Sequence, residues 1–164
     1  MRVVITGGAG YLGQCLARGL LRRGALRTHR KGGEELTKVS SIVLADVAAP
    51  ARWHHAELAV KTELAIGDVG DAAFVDGLLR GADEVSVFHL GAVMSGDGER
   101  DFDGCLRTNL YGTLNVLEAA RRAPGRPRVV YASAGATLGA GAPADWVTST
   151  DIVGDSTRAA PHTT

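Results

Sequence analysis

Eight consecutive residues near the start of the chain, Thr6-Gly7-Gly8-Ala9-Gly10-Tyr11-Leu12-Gly13, have the spacing of a phosphate-holding turn. They follow a β-branched run, Val3-Val4-Ile5, and lead into apolar residues at Leu12, Cys15, Leu16, Leu20 and Leu21, a helical spacing. In a strand–turn–helix unit of this kind, Gly7 lets the chain turn sharply off the strand. Gly10 leaves a pyrophosphate room against the backbone, and Gly13 lets the helix pack close to the sheet. The amides that open the helix, including those of Tyr11 and Leu12, lack partners within it and carry a partial positive charge suited to an anion. A glycine triplet also caps helices without any ligand, but its place between a strand and a helix favours phosphate.

Further candidates stand where later strands end. Asp46 closes the run Ser41-Ile42-Val43-Leu44-Ala45. In dinucleotide folds an acid there accepts hydrogen bonds from the adenosine ribose and repels a 2′-phosphate, which favours NAD over NADP. Arg52 nearby weakens that preference, and a solvated strand-end acid is the plainer alternative. Asp68-Val69 either places a carboxylate near the adenine amino group or forms a simple turn, with Asp71 as helix cap. His89-Leu90-Gly91-Ala92 ends another strand, on the rim where ligands of such folds bind. Small residues there suit a flat cofactor, and His89 itself fits a structural histidine better than a base. Asn109 is a poor helix former inside a helical stretch. Its amide either bonds backbone toward the active-site side or faces solvent, and its apolar neighbours favour the former.

The elements that must position these residues alternate along the chain. Strands are predicted at Val3–Thr6, Ser41–Asp46, Glu63–Ile66, Glu84–Leu90 and Arg128–Ala132, with helices over Leu12–Arg23, from Asp71 to Gly81, and over Phe102–Arg122. Gly24 is expected to cap the first helix in the left-handed conformation. Leu26–Ser40 reads as a polar surface insertion and Gly91–Arg100 as a loop, while Leu106, Leu110, Leu114 and Leu117 keep a helical spacing. This order predicts an α/β fold, a doubly wound parallel sheet of the Rossmann kind truncated after about five strands. Residues 1–140 would form the NAD-binding domain, and residues 141–164 an irregular segment.

Composition narrows the class. The chain has 164 residues with 18 basic and 18 acidic side chains, so no charge excess points to nucleic acid or an anionic membrane. With 45% hydrophobic and 22% charged residues it is not disordered by composition. Cys15 and Cys105 have no metal-ligand neighbourhood, which predicts no metal and a reducing compartment. No apolar run approaches the ~20 residues of a membrane span, and no signal peptide precedes the first strand, so a cytoplasmic domain is expected.

Taken in order, Thr6 to Gly13, Asp46, Gly67-Asp68-Val69, His89-Leu90-Gly91-Ala92 and Asn109-Leu110-Tyr111-Gly112-Thr113 resemble the extended short-chain dehydrogenase/reductase family, the NAD-dependent epimerase/dehydratase group. The resemblance implies pyrophosphate contacts for Gly7, Gly10, Tyr11 and Leu12, a ribose contact for Asp46 and adenine contacts for Asp68 and Val69. It places Leu90, Gly91 and Ala92 along the cofactor and Asn109 beneath the active site. The segment Val93-Met94-Ser95-Gly96, followed by Asp101-Phe102-Asp103, is most similar to D-erythronate dehydrogenase-type members. That likeness implies NAD-linked oxidation of a small sugar acid, with Ser95 near substrate.

The chain departs from the family in two places. Members transfer the proton with a Tyr-x-x-x-Lys pair, in which the lysine lowers the tyrosine pKa. Here the residues four beyond Tyr11, Tyr111 and Tyr131 are Cys15, Asn115 and Gly135, and the lysines are Lys31, Lys38 and Lys61. The final Pro161-His162-Thr163-Thr164 resembles the run that precedes the missing tyrosine, so the chain is expected to stop at the catalytic helix. The family often has two adjacent serines after the fifth strand; here Ala132-Ser133-Ala134 offers only Ser133, with Ala134 in the catalytic register. Ser133 either serves as the catalytic serine through a shift or, the plainer alternative, is an ordinary strand-end serine. The expected functions are the cofactor half of a dehydrogenase for a sugar acid, a fragment of a nucleotide-sugar epimerase or dehydratase, or a non-catalytic NAD-binding module. A methyltransferase is disfavoured by the glycine spacing and by Asn109–Thr113. An open edge at the last strand predicts marginal stability or homo-oligomers.

Overall fold

Val3, Val4 and Ile5 are all fully buried, as a strand covered on both faces requires. They belong to β1 (Arg2–Thr6), the central strand of a computed structural model that describes residues 1–30, 33–125 and 127–134, the side chains of residues 29, 30 and 95 excepted. Around it lie β4 (Ser41–Asp46), β5 (Glu63–Ile66), β6 (Val85–His89) and β7 (Arg128–Tyr131), in the order β5-β4-β1-β6-β7. Every pairing in this sheet is parallel. The chain therefore winds outward from β1 in both directions, and the switch falls between β1 and β6. The expected doubly wound Rossmann sheet is present.

Both faces carry a core. Val3 and Ile5 with Ile42 and Leu44 pack on Ala17 and Leu20 of α1 (Tyr11–Arg23) and on Leu58 of the short α2 (Leu58–Lys61). Val4, Val43, Ala45, Val85 and Val87 meet Val75 and Leu78 of α3 (Ala72–Leu79) and Val116, Ala119 and Ala120 of α6 (Thr113–Arg122). Gly24 takes the left-handed conformation, φ 70°, and its N–H bonds the Leu20 carbonyl to close α1. Asp71 caps α3 through the Ala73 and Phe74 amides.

Four local expectations need correction. The polar stretch after α1 is a hairpin of β2 (Ala25–Arg30) and β3 (Gly33–Lys38), paired antiparallel as a separate two-stranded sheet. Its β3 residues are almost all exposed, so no apolar alternation marked it. The stretch before Asp101 contains a short helix, α4 (Ser95–Arg100). The long helix is interrupted: α5 (Phe102–Leu106) and α6 are joined by a π-helical turn, Arg107–Gly112. Leu110, Leu114 and Leu117 point outward, roughly half exposed, while small residues form the buried stripe. Leu12 likewise lies outside the core, 68% exposed.

The described sheet and helices make one compact unit, Met1–Tyr131; Ala132 onward forms a second, whose described residues 132–134 have no regular structure. The expected boundary at residue 140 and the segment 141–164 lie outside the described residues. Among the described residues no helix is long and apolar enough to cross a membrane, and no His/Cys/Asp/Glu group has the makings of a metal centre.

Candidate functional site

The turn between β1 and α1 is held from several sides. Gly7 sits at φ 67°, and a Cβ there would come within 2.8 Å of the Gly91 nitrogen and 2.9 Å of the Leu90 carbonyl carbon. The ends of β1 and β6 thus touch backbone to backbone at the switch point, where ligands of such sheets bind. A Cβ on Gly13 would lie 2.5 Å from the Gly7 oxygen, so Gly13 closes the helix onto the turn. This corrects its expected role: the sheet contact belongs to Gly8, whose Cβ would lie 2.7 Å from Leu44 Cα.

Ala9 is gripped at both ends of its backbone. Its N–H donates to Asp46 Oδ2 at 3.0 Å, and its carbonyl accepts from Gln14 Nε2 at 2.8 Å. The same Nε2 donates to the Arg52 carbonyl, and Gln14 Oε1 accepts the His54 N–H. Gln14 is fully buried, and it joins the glycine turn to the loop after β4. Sequence reasoning missed it; the available signal was a polar residue on the helix stripe that also carries Ala17.

Beyond Ala9 the helix begins at Gly10 without a side-chain cap and without an acid in its first turn. A Cβ at Gly10 would meet only its own turn, the Gly7 oxygen at 3.3 Å. Tyr11 and Leu12 stand exposed at this helix start, with Tyr11 edge-on to His54 at 5.2 Å between ring centroids.

Gly7, Gly10, Asp46, Asp68, Val69, Leu90, Gly91 and Ala92 line one cleft of about 400 Å³ along the C-terminal edge of the sheet. Arg107 and Thr108 of the π-helical turn complete its wall. A somewhat larger cleft, about 460 Å³, lies at the opposite edge beside Asp76, Leu79, Asp83 and Arg122. It contains none of the expected residues, and the glycine turn and open helix start make the smaller cleft the candidate site.

Side chains from the helical layer fix its rim. Asp68 accepts the Gly70 N–H at 2.8 Å and pairs with Arg107 at 3.3 Å. Asn115 Nδ2 donates to the Val69 carbonyl, and Gly112 admits the Val69 side chain. Asn109 takes the inward of its two alternatives: Oδ1 accepts the Val93 N–H at 2.8 Å and Nδ2 donates to the Val93 carbonyl at 2.9 Å. His89 is buried between Thr6 and Thr113, and burial pushes its imidazole pKa down. Sequence reasoning had assigned no role to Arg107, Thr113 or Asn115. Ser95 opens α4, and its side chain is outside the description. Ser133 belongs to the unit beginning at Ala132, whereas the cleft residues belong to Met1–Tyr131.

The cleft suits a dinucleotide. Free helix-start amides can receive a diphosphate, the space over Gly10 is one a Cβ would occupy, and Asp46 supplies acceptors at the end of β4. The D-erythronate dehydrogenase of Cupriavidus necator is 42% identical over 142 residues, 85% of this chain and 40% of that protein. A crystal structure of Agrobacterium tumefaciens uronate dehydrogenase, a Y136A mutant complexed with NAD, aligns with a TM-score of 0.60 and 29% identity, over 84% of this chain and 42% of that one. A nucleoside-diphosphate-sugar epimerase structure from the same organism aligns at 0.63 and 33%, over 87% and 40%. The chain spans less than half the length of these relatives. The model of the NAD dependent epimerase/dehydratase family matches residues 3–160. With that match covering nearly the whole sequence, the chain belongs to the NAD-dependent epimerase/dehydratase family.

Proposed function

We propose that these residues are the NAD-binding portion of an extended short-chain dehydrogenase acting on a hydroxyl of a small sugar acid, of the D-erythronate type. The observation that carries it is the coupling of the uncapped glycine turn to Asp46 through Ala9, at one end of a cleft floored by backbone. Gly7, Gly10, Tyr11 and Leu12 would hold the diphosphate. Asp46 would take the adenosine ribose and repel a 2′-phosphate, and Asp68 and Val69 would flank the adenine. Leu90, Gly91 and Ala92 would run beside the remainder, with Asn109 fixing the loop at Val93. When bound, NAD supplies a nicotinamide ring that accepts hydride.

Ser95 would approach the substrate; Ser133, one residue out of the catalytic register, would polarise a substrate hydroxyl only through a shift of register. No Tyr-x-x-x-Lys stands in the sequence, so this chain is expected to bind the coenzyme without turning over. The similarity to a nucleoside-diphosphate-sugar epimerase supports a second reading, in which the complete enzyme acts on a nucleotide sugar.

Calorimetric titration of the 164-residue chain tests this directly. Saturable NAD binding, weaker NADP binding and no NADH formation with D-erythronate are expected. A flat NAD isotherm overturns the proposal, and NADH formation overturns its non-catalytic part.

A further inference from the structure

Thr113 Oγ1 lies 2.7 Å from the Asn109 carbonyl oxygen, which can only accept, so the Thr113 hydroxyl proton points there. Its oxygen, 3.1 Å from His89 Nε2, is left as an acceptor, and Nε2 must carry the imidazole hydrogen. A neutral imidazole has one such hydrogen, so Nδ1 is bare. Thr6 Oγ1, 2.6 Å away, donates to it. That leaves the Thr6 oxygen to receive the Gly91 N–H at 3.1 Å. Every hydrogen in the series has one direction, and none can be reversed without stranding a polar group.

We propose that Thr6, His89 and Thr113 form a one-way hydrogen-bond relay whose task is to position the Gly91 peptide as the floor of the coenzyme cleft. This rests on the coenzyme reading above. Thr6 holds two successive peptides of the β6 end, Leu90 through its carbonyl at 3.1 Å and Gly91 through its hydroxyl. Those two peptides are the ones that close on Gly7, where a Cβ would find only 2.8–2.9 Å. The relay therefore sets the spacing between the glycine turn and the opposite wall. It also anchors that spacing to the helical layer, because Asn109, at its far end, is the residue whose amide clamps Val93. The Tyr131 ring, 5.7 Å from the imidazole, is the aromatic neighbour on the β7 side. All three are positioning residues.

The test compares two substitutions at one position in the full chain. Thr6→Val keeps shape and volume but has no hydroxyl; Thr6→Ser keeps the hydroxyl and loses a methyl. The relay predicts that Thr6→Val weakens NAD binding by about tenfold, the usual worth of one lost hydrogen bond, and speeds amide exchange at Gly91. Thr6→Ser should stay near wild type in both. The reverse order, with serine worse than valine, would mark Thr6 as packing alone and overturn the relay. Thr113→Val against Thr113→Ser repeats the comparison at the other end, should Thr6→Val fail to fold. Imidazole nitrogen chemical shifts give a readout independent of coenzyme: a hydrogen on Nδ1 of His89 overturns the relay. If wild type does not bind NAD, the coenzyme reading falls, while Gly91 exchange in Thr6→Val still decides the relay.

Discussion

The Asp46 carboxylate accepts the Ala9 N–H at 3.0 Å, so the acid ending β4 and the middle of the glycine turn form one hydrogen-bonded unit. The other oxygen takes the Val47 N–H at 2.8 Å. An ionised carboxylate has about four acceptor sites, so two remain for ribose hydroxyls. Asp46→Ala should therefore both loosen the turn and lower NAD affinity, by about tenfold or more. Asp46→Asn keeps the shape and removes the charge, so NADP should gain on NAD. Parallel titrations with the two coenzymes give the ratio, and an unchanged ratio in Asp46→Asn would show that its charge does not discriminate.

The glycines of the turn separate by what a Cβ would meet. At Gly10 the backbone is ordinary, φ −70°, and the nearest atom is the Gly7 oxygen at 3.3 Å. Gly10→Val should cost stability about 1 kcal/mol for the poorer N-cap plus the small shift its Cβ asks of the Gly7 oxygen, yet remove NAD binding by filling the diphosphate space. Gly7→Ala faces φ 67°, which alone costs about 1–3 kcal/mol, and its Cβ would also press on the Gly91 backbone at 2.8 Å, so the total loss should be larger. Urea denaturation beside NAD titration distinguishes them. A Gly10→Val protein that binds NAD normally would remove Gly10 from the site.

Gln14 makes a different prediction, about the loop rather than the ligand. Gln14→Leu fits the burial of the side chain but leaves the Ala9 carbonyl, the Arg52 carbonyl and the His54 N–H without their partner. Each orphaned group costs about 1–3 kcal/mol when water cannot reach it, so a loss of at least that size is expected in denaturant unfolding. Gln14→Glu retains the acceptor for His54 but turns a second oxygen on the two carbonyls, and should also destabilise. A Gln14→Leu protein as stable as wild type would mean that water replaces the side chain.

What the sequence made legible follows from how local each signal is. Val3-Val4-Ile5 and Ile42-Val43-Leu44 announce doubly covered strands because every residue in them is apolar, and Asp71 announces a helix because its cap is two residues away. The hairpin Ala25–Lys38 gave no such signal, since none of its described side chains is buried. The leucines at 110, 114 and 117 misled for the opposite reason: their spacing is helical, but α6 buries Ala119 and Ala120, which are small enough for close contact with α3. At the site, the glycines and strand-end acids were visible as motifs. The side chains that lock them were not, because Gln14 to Arg52, Asn115 to Val69 and Thr113 to His89 join positions 24 to 46 residues apart.

His89 links this architecture to pH. Burial holds its pKa below the ordinary 6.5, and the relay explains why the neutral form is wanted: a proton on Nδ1 would take away the acceptor that the Thr6 hydroxyl uses. Above pH 6.5 the imidazole is neutral whether the chain is folded or unfolded, and its contribution to stability is complete. As pH falls below 6.5, the unfolded chain takes up the proton first, so stability declines until the folded pKa is passed and then levels off. The chain has four other histidines, so the contrast must come from a variant. His89→Gln should be less stable than wild type near pH 7.5, and the gap should narrow toward pH 5.5. Urea unfolding at the two pH values measures both gaps; equal gaps would mean that His89 has the same affinity for protons in the folded and unfolded chain.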